Sequence, residues 1–222
     1  MKVAVLGAGA MGTGIGQIAV QNGCHVVYYD SFPGATDRSK ASIEKIFNRL
    51  AEKGKITSEQ KEEMLGRMHW SADVDAVSGA DLVVEAVIED LEVKKDLFAK
   101  VEPLLRSDAW LCTNTSSLSI AALSSGLTHP KRFGGLHFFN PAPLMPLVEV
   151  VPGVKTGDDF TETMEALMLE WGKVPVVAKD TAARRPRKGA ESGGDSLEAT
   201  GPGVRLPRLF AMSGWCSRCR SG

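Results

Sequence analysis

Met1-Lys2-Val3-Ala4-Val5-Leu6-Gly7-Ala8-Gly9-Ala10-Met11-Gly12, continued through Asp30, decides the fold. An apolar run, Val3 to Leu6, stops at a turn with glycines at 7, 9 and 12. Small residues follow at helical spacing from Thr13 to Gln21, and a second apolar strand, His25 to Tyr29, ends in Asp30. Strand, turn, helix and strand in this order form the dinucleotide-binding fingerprint. Gly7 permits the tight turn, Gly9 lets a pyrophosphate approach the backbone, and Gly12 lets the helix pack closely on the strand. Ala8, Ala10 and Met11 complete the turn, whose N–H groups at the positive end of a helix face the phosphates. Asp30, 18 residues beyond Gly12, is placed to accept hydrogen bonds from both hydroxyls of the adenosine ribose. Its charge would repel a 2′-phosphate, so the pattern favours NAD over NADP. The competing reading is a glycine-rich turn used only for close packing.

The chain has 222 residues, 43% hydrophobic and 24% charged, ordinary values for a globular protein. Its net charge of −1 is unevenly placed: residues 181–222 hold eight Lys/Arg and three acids, +5, which leaves −6 on the first 180. No apolar run approaches the roughly 20 residues that span a bilayer, and the first residues read as a core strand, not a secretory signal. These features predict a cytoplasmic protein with no membrane partner. Cys24 and Cys112 lie in apolar contexts and read as core packing, not as disulfide partners.

Beyond Asp30 the pattern alternates. Ile43, Ile46, Phe47 and Leu50 share a helical face, and Thr57-Ser58-Glu59-Gln60 reads as a capping box for a short helix ending near Gly66. Strands are expected at 81–86, 110–113, 133–139, 147–151 and 174–178, with helices at 91–105 and 158–171. The order predicts an α/β protein, a Rossmann-type, doubly wound and mostly parallel sheet over residues 1–180. From Thr181 the sequence loses periodicity and becomes rich in Gly, Arg, Pro and Ser, with seven Gly and three Pro in 42 residues. Such a composition predicts a disordered basic tail over 181–222.

Three polar segments fall at strand ends, where ligands of open α/β sheets bind. They are Asn114-Thr115-Ser116-Ser117, Gly135-Leu136-His137-Phe138-Phe139-Asn140-Pro141 and Val148-Glu149-Val150. A histidine with a carboxylate partner beside a nicotinamide is equipment for oxidising an alcohol. His137 would take the hydroxyl proton while Glu149 orients the imidazole and stabilises its charged form. Their 12-residue spacing does not by itself establish contact.

These segments resemble the 3-hydroxyacyl-CoA dehydrogenases, over Met1 to about Asp180, most specifically in Gly-Leu-His-Phe-Phe-Asn-Pro and Asn-Thr-Ser-Ser-Leu. The resemblance implies NAD-dependent oxidation of (S)-3-hydroxyacyl-CoA to 3-oxoacyl-CoA in fatty-acid degradation, and members acting on 3-hydroxybutyryl-CoA are similar. It implies His137 as catalytic base and Glu149 as its partner. Ser116 would stand near the substrate hydroxyl, touching substrate and cofactor, and Asn140 by the nicotinamide. Glu89 and Lys94, in Glu85-Ala86-Val87-Ile88-Glu89-Asp90-Leu91-Glu92-Val93-Lys94, match cofactor-contacting positions. Lys53 matches a basic residue that meets the phosphates of CoA.

The resemblance stops at Lys179-Asp180-Thr181. The family continues there with Pro-Gly-Phe and an Asn-Arg pair opening an all-helical domain. Here Ala182-Ala183-Arg184-Arg185-Pro186 follows, with Arg187 near the expected asparagine. The expectation is therefore a chain without the helical substrate and dimerisation domain. Phe138, Phe139, Leu144, Met145 and Leu147 would then lie on an uncovered apolar surface. The alternative reading is a catalytically impaired dinucleotide-binding fragment. Plainer readings stand beside several residues: His137 as a satisfied core histidine, Ser116 as the cap of a helix beginning near Ser119, and Lys53 as a solvated helix-end charge. Cys216-Ser217-Arg218-Cys219 lacks a second ligand pair, so no metal is expected. The Arg184–Lys188 run has no interleaved aromatics, so no nucleic-acid partner is expected.

Overall fold

The computed structural model describes residues 1–180. The expected tail, its basic run at 184–188 and the Cys216–Cys219 pair lie outside the described residues. The elements are β1 (Lys2–Leu6), α1 (Ala10–Gln21), β2 (His25–Tyr29), α2 (Ala35–Glu52), α3 (Ser58–Gly66), β3 (Met68–Ser71), β4 (Leu82–Glu85), α4 (Leu91–Val101), β5 (Trp110–Thr113), α5 (Ile120–Leu123), β6 (Phe133–Phe138), β7 (Leu147–Pro152), α6 (Asp159–Glu170) and β8 (Val174–Val177).

One eight-stranded sheet runs β3-β2-β1-β4-β5-β6-β7-β8. All neighbours pair in parallel except β6 and β7. The order reverses between β1 and β4, which opens a crevice beyond their carboxyl ends. Both faces of the sheet are covered. Along β1, Val3 and Val5 join a cluster with Ile15, Ile43, Phe47 and Met164, while Ala4 and Leu6 join Phe98, Leu111, Ile120 and Phe133 on the other side. The two-residue alternation of a strand, with both faces buried, explains why the strands read as unbroken apolar runs.

The fingerprint folds as its glycines require. A Cβ on Gly12 would sit 1.8 Å from the Gly7 carbonyl oxygen, and one on Gly16 would sit 2.2 Å from the Tyr28 hydroxyl. Thus α1 lies against the sheet at a distance only glycine permits. It begins at Ala10, three residues before the periodic stretch, because Gly9 already serves as its N-cap. The Thr57–Gln60 box forms in both directions, Gln60 N donating to Thr57 Oγ1 (3.2 Å) and Thr57 N to Gln60 Oε1 (2.8 Å).

Differences from the sequence reading have local causes. The helix expected to reach Leu105 ends at Val101, because Pro103 cannot continue it and a 3₁₀ turn follows. Strand β3 lies outside the expected elements, since Met68-His69-Trp70-Ser71 alternates apolar and polar residues over only four positions; it forms by pairing with β2, and Trp70 stacks on Tyr28 at 5.4 Å. Phe138, expected on an uncovered surface, is 1% exposed and belongs to the core; Leu144 at 79% and Met145 at 37% are the exposed residues of that set. Cys24 and Cys112 are buried in the core, as read. Among the described residues no helix is long and apolar enough to cross a membrane.

Candidate active site

The turn after β1 is shaped to hold a phosphate. Gly7 has φ +99°, and a Cβ there would lie 2.7 Å from the Ala86 carbonyl oxygen. Gly9 has nothing within 4 Å of its would-be Cβ, so the backbone is open to a ligand at that point. No side chain caps the first turn of α1, which leaves its N–H groups and the positive end of the helix available. Asp30 is tied to this turn: Oδ2 accepts from Ala8 N (2.8 Å) and Oδ1 from Phe32 N (2.9 Å). These features fit a dinucleotide.

A groove of about 680 Å³ runs from this turn between α1, α2 and the chain after β6, and Asn140 lines it. Arg38, Arg49, Lys53 and Lys55 make its opposite rim basic. Lys53 is the exposed C-cap residue of α2, a helix-end charge that also borders the groove.

His137 and Glu149 are directly opposed in the antiparallel β6–β7 pair, and His137 Nδ1 lies 2.9 Å from Glu149 Oε2. A carboxylate only accepts, so Nδ1 carries the proton and Nε2 is left as the basic nitrogen. Both side chains are partly exposed, and the Phe139 ring packs against the imidazole at 4.6 Å. The histidine is thus partnered and partly exposed, not a residue sealed in the core. Asn140 follows at the exposed end of the strand. Asn114 Oδ1 accepts from Phe138 N (2.7 Å), which joins the end of β5 to the end of β6.

The turn after β5 is gathered by one carboxylate. Glu89 Oε1 accepts from the amides of Ser116 (2.8 Å) and Ser117 (3.0 Å) and from the hydroxyls of Thr115 (2.5 Å), Ser117 (3.1 Å) and Ser116 (3.3 Å). Its Oε2 lies 3.2 Å from Lys94 Nζ. Burial works against the Glu89 charge, but the Thr115 hydroxyl, the Lys94 ammonium and the two serine amides outweigh it and hold the carboxyl at about 2. Lys94, expected at the cofactor, is 1% exposed and shares its ammonium between Glu89 and Glu85 Oε1 (2.6 Å). Glu85 is fully buried. It also accepts from Val87 N (2.7 Å) and Thr113 Oγ1 (2.6 Å). Burial raises its pKa, against the opposing pull of Lys94, Thr113 and Val87.

The structure therefore brings His137 to Glu149, Ser116 to Glu89, and Asp30 to the Gly7–Gly12 turn, all at the carboxyl ends of β1, β2, β4, β5 and β6, while Lys94 meets Glu89 from the buried side. Ser116 is not a helix cap: Ser119 holds that place, accepting from Ala122 N (3.3 Å). Asp180 accepts from Ser119 Oγ (3.1 Å) and from the amides of Ile120 and Ala121 (2.9 Å each), fastening the end of the described chain to α5. Glu85, Asn114 and Asp180 stand in segments quoted above, and Thr113 ends an expected strand, but the sequence assigns none of the four a role. An acid closing an apolar strand, with a lysine nine residues on, was the visible trace of the Glu85–Lys94 pair.

The fold and the site define a dinucleotide-binding domain of the dehydrogenase kind. Residues 2–181 match the family model of the 3-hydroxyacyl-CoA dehydrogenase NAD-binding domain, and the chain belongs to that family. A probable 3-hydroxybutyryl-CoA dehydrogenase of Deinococcus radiodurans is 44% identical over 184 residues, covering 81% of this chain and 64% of the relative. A crystal structure of 3-hydroxybutyryl-CoA dehydrogenase from Escherichia coli superposes with a TM-score of 0.79 at 44% identity, covering 82% of this chain and 38% of that one. A probable 3-hydroxyacyl-CoA dehydrogenase of Caenorhabditis elegans is 33% identical over 251 aligned positions, 98% of this chain and 84% of its own length. That match continues past residue 181, where the resemblance read from sequence stops. The chain spans less than two thirds of the first two relatives.

Proposed function

We propose that this chain carries the cofactor half, and the acid–base pair, of an NAD-dependent (S)-3-hydroxyacyl-CoA dehydrogenase. The observation that carries the reading is the His137–Glu149 pair, 2.9 Å apart at the carboxyl end of β6, in the same sheet as the Gly7–Gly12 turn. Bound NAD supplies the hydride acceptor. His137 Nε2 takes the hydroxyl proton, and the Glu149 carboxylate fixes the tautomer and stabilises the imidazolium that results. Ser116, at the turn beside this pair, holds the substrate oxygen, and Asn140 positions the nicotinamide. Gly7, Ala8, Gly9, Ala10, Met11 and Gly12 cradle the pyrophosphate, Asp30 holds the ribose, and Glu89 contacts the cofactor with Lys94 behind it. The acyl-CoA lies in the groove, with Lys53 and the basic rim at its phosphates. The relatives named for 3-hydroxybutyryl-CoA and 3-hydroxyacyl-CoA dehydrogenation support this class of substrate, and relatives named as fatty acid oxidation complex subunits support a place in fatty-acid degradation.

The test is NADH fluorescence titration alongside steady-state NADH oxidation with acetoacetyl-CoA. Wild-type chain should bind NADH and turn over, and His137→Gln should keep the binding and lose the turnover. A wild-type chain that binds no NADH would sink the reading.

A further inference from the structure

Lys173 stands outside every group assigned above. It follows Gly172, whose φ of +70° turns the chain from α6 into β8. Its backbone N–H donates to the Met168 carbonyl (2.9 Å), and the residue is only 7% exposed. The ammonium donates to the carbonyls of Ala142 (2.7 Å) and Met145 (2.9 Å) and reaches that of Pro143 at 3.5 Å. Among the described residues no carboxylate pairs with it.

The loop it meets explains the choice of residue. Between Asn140 and Pro146 stand three prolines, 141, 143 and 146, none of which has an N–H to give. The backbone bonds within the loop are those of Leu144 N and Met145 N, and both go to the Pro141 carbonyl (3.0 Å each). The carbonyls of 142, 143 and 145 therefore turn to a donor from another element, because buried carbonyls left unpaired are costly. An ammonium is compact and carries three N–H donors, matching three converging carbonyls; a guanidinium is a flat fork suited to a carboxylate. Burial lowers the pKa of Lys173, the expected mark of a charge held by dipoles alone.

This loop is also a wall of the groove. Ala142 and Pro143 pack on α1 so closely that a Cβ on Gly14 would meet them at 3.3 and 3.0 Å. Asn140 opens the loop and follows β6, the strand that carries His137.

We propose that Lys173 is a positioning residue: by gathering the carbonyls of Ala142, Pro143 and Met145, it fixes the proline-rich wall of the groove and, through it, Asn140. Only the part played by Asn140 rests on the dehydrogenase reading.

The experiment compares the full chain with Lys173→Met, which keeps the length of the side chain and removes its donors. Amide hydrogen exchange at Leu144 and Met145 should rise about tenfold or more while Val3–Leu6 stays protected, because the loop opens locally. NADH affinity should fall about tenfold, the size expected for losing charge-assisted hydrogen bonds behind a contact. Lys173→Arg should restore neither. Unchanged exchange at Leu144 and Met145 would overturn the proposal. So would a uniform rise across β1, β6 and β7, which would mark a contribution to global stability only. Exchange is measured without cofactor, so a wild-type chain that binds no NADH refutes the dinucleotide reading and leaves the loop test standing. Should Lys173→Met fail to fold, the side-chain ammonium resonance of ¹⁵N-lysine-labelled wild-type chain decides. Slow proton exchange at Lys173 supports the clamp, and rapid exchange overturns it.

Discussion

Two turns flank the histidine strand, and they are anchored by opposite means. The turn after β5, Thr115-Ser116-Ser117, is rich in N–H and O–H donors, and it closes around an acceptor, the Glu89 carboxylate. The loop after β6, Pro141 to Pro146, is poor in donors and rich in spare carbonyls, and it closes around a donor, the Lys173 ammonium. In both cases the anchoring charge comes from another element, α4's N-terminal approach for one and the start of β8 for the other. The composition of a loop thus dictates the sign of its anchor. The two anchors differ in what stands behind them: Glu89 is neutralised by Lys94, itself balanced by Glu85, whereas among the described residues Lys173 is met by peptide carbonyls alone. The serine turn should therefore answer to removal of a buried partner charge, and the proline loop to loss of hydrogen bonds only.

The largest effect is expected at Lys94→Met, which leaves Glu85 and Glu89 without their shared cation; breaking a buried pair from one side costs about 3–5 kcal/mol. Urea denaturation at pH 7 measures it. The loss should shrink as pH falls, since the Glu85 carboxyl, already raised by burial, takes up a proton and removes its own charge. A loss independent of pH would break the idea that the carboxylates behind the serine turn act as charges.

Glu89→Gln comes next. Its carboxyl is held at about 2, below the ordinary value of about 4.3, so the charged form favours the folded state. That stabilisation is present above the unfolded-state pKa and is lost as pH falls through the folded one. Wild-type stability should therefore decline between roughly pH 4.5 and 2 more steeply than that of Glu89→Gln, with an effect at pH 7 of about 1.5–3 kcal/mol for hydrogen bonds to a charged group. Parallel acid titrations of the two proteins would show that Glu89 does not carry the turn. The smallest effect is expected at Thr115→Val, one hydroxyl donor among five to Glu89 Oε1; about 1 kcal/mol is expected, read as a shift in denaturation midpoint.

The first thirty residues were legible because each glycine answers a local steric demand, and local demands are written in local sequence. The strand positions of β2 and β5 were legible for the same reason, as bounded apolar runs. Glu149 was nameable as the partner of His137, but their contact depends on β7 running antiparallel to β6, which spacing alone does not disclose. The anchors were hidden because their partners are remote: Thr113 lies 28 residues from Glu85, and Ala142 lies 31 from Lys173. Phe138 was misplaced because a strand alternates sides, and the side facing the core depends on that same pairing.

The central claim is that the crevice at the carboxyl ends of β1 and β4 and the His137–Glu149 pair on β6 and β7 of the same sheet form a dehydrogenase site. The most direct measurement is NADH oxidation with acetoacetyl-CoA by wild-type and Glu149→Gln chains, with NADH affinity recorded on both. Replacing the carboxylate with an amide should lower kcat by about 10²–10⁴, because the imidazole loses the partner that fixes its tautomer, while NADH affinity stays the same. Equal kcat for the two chains would contradict the account.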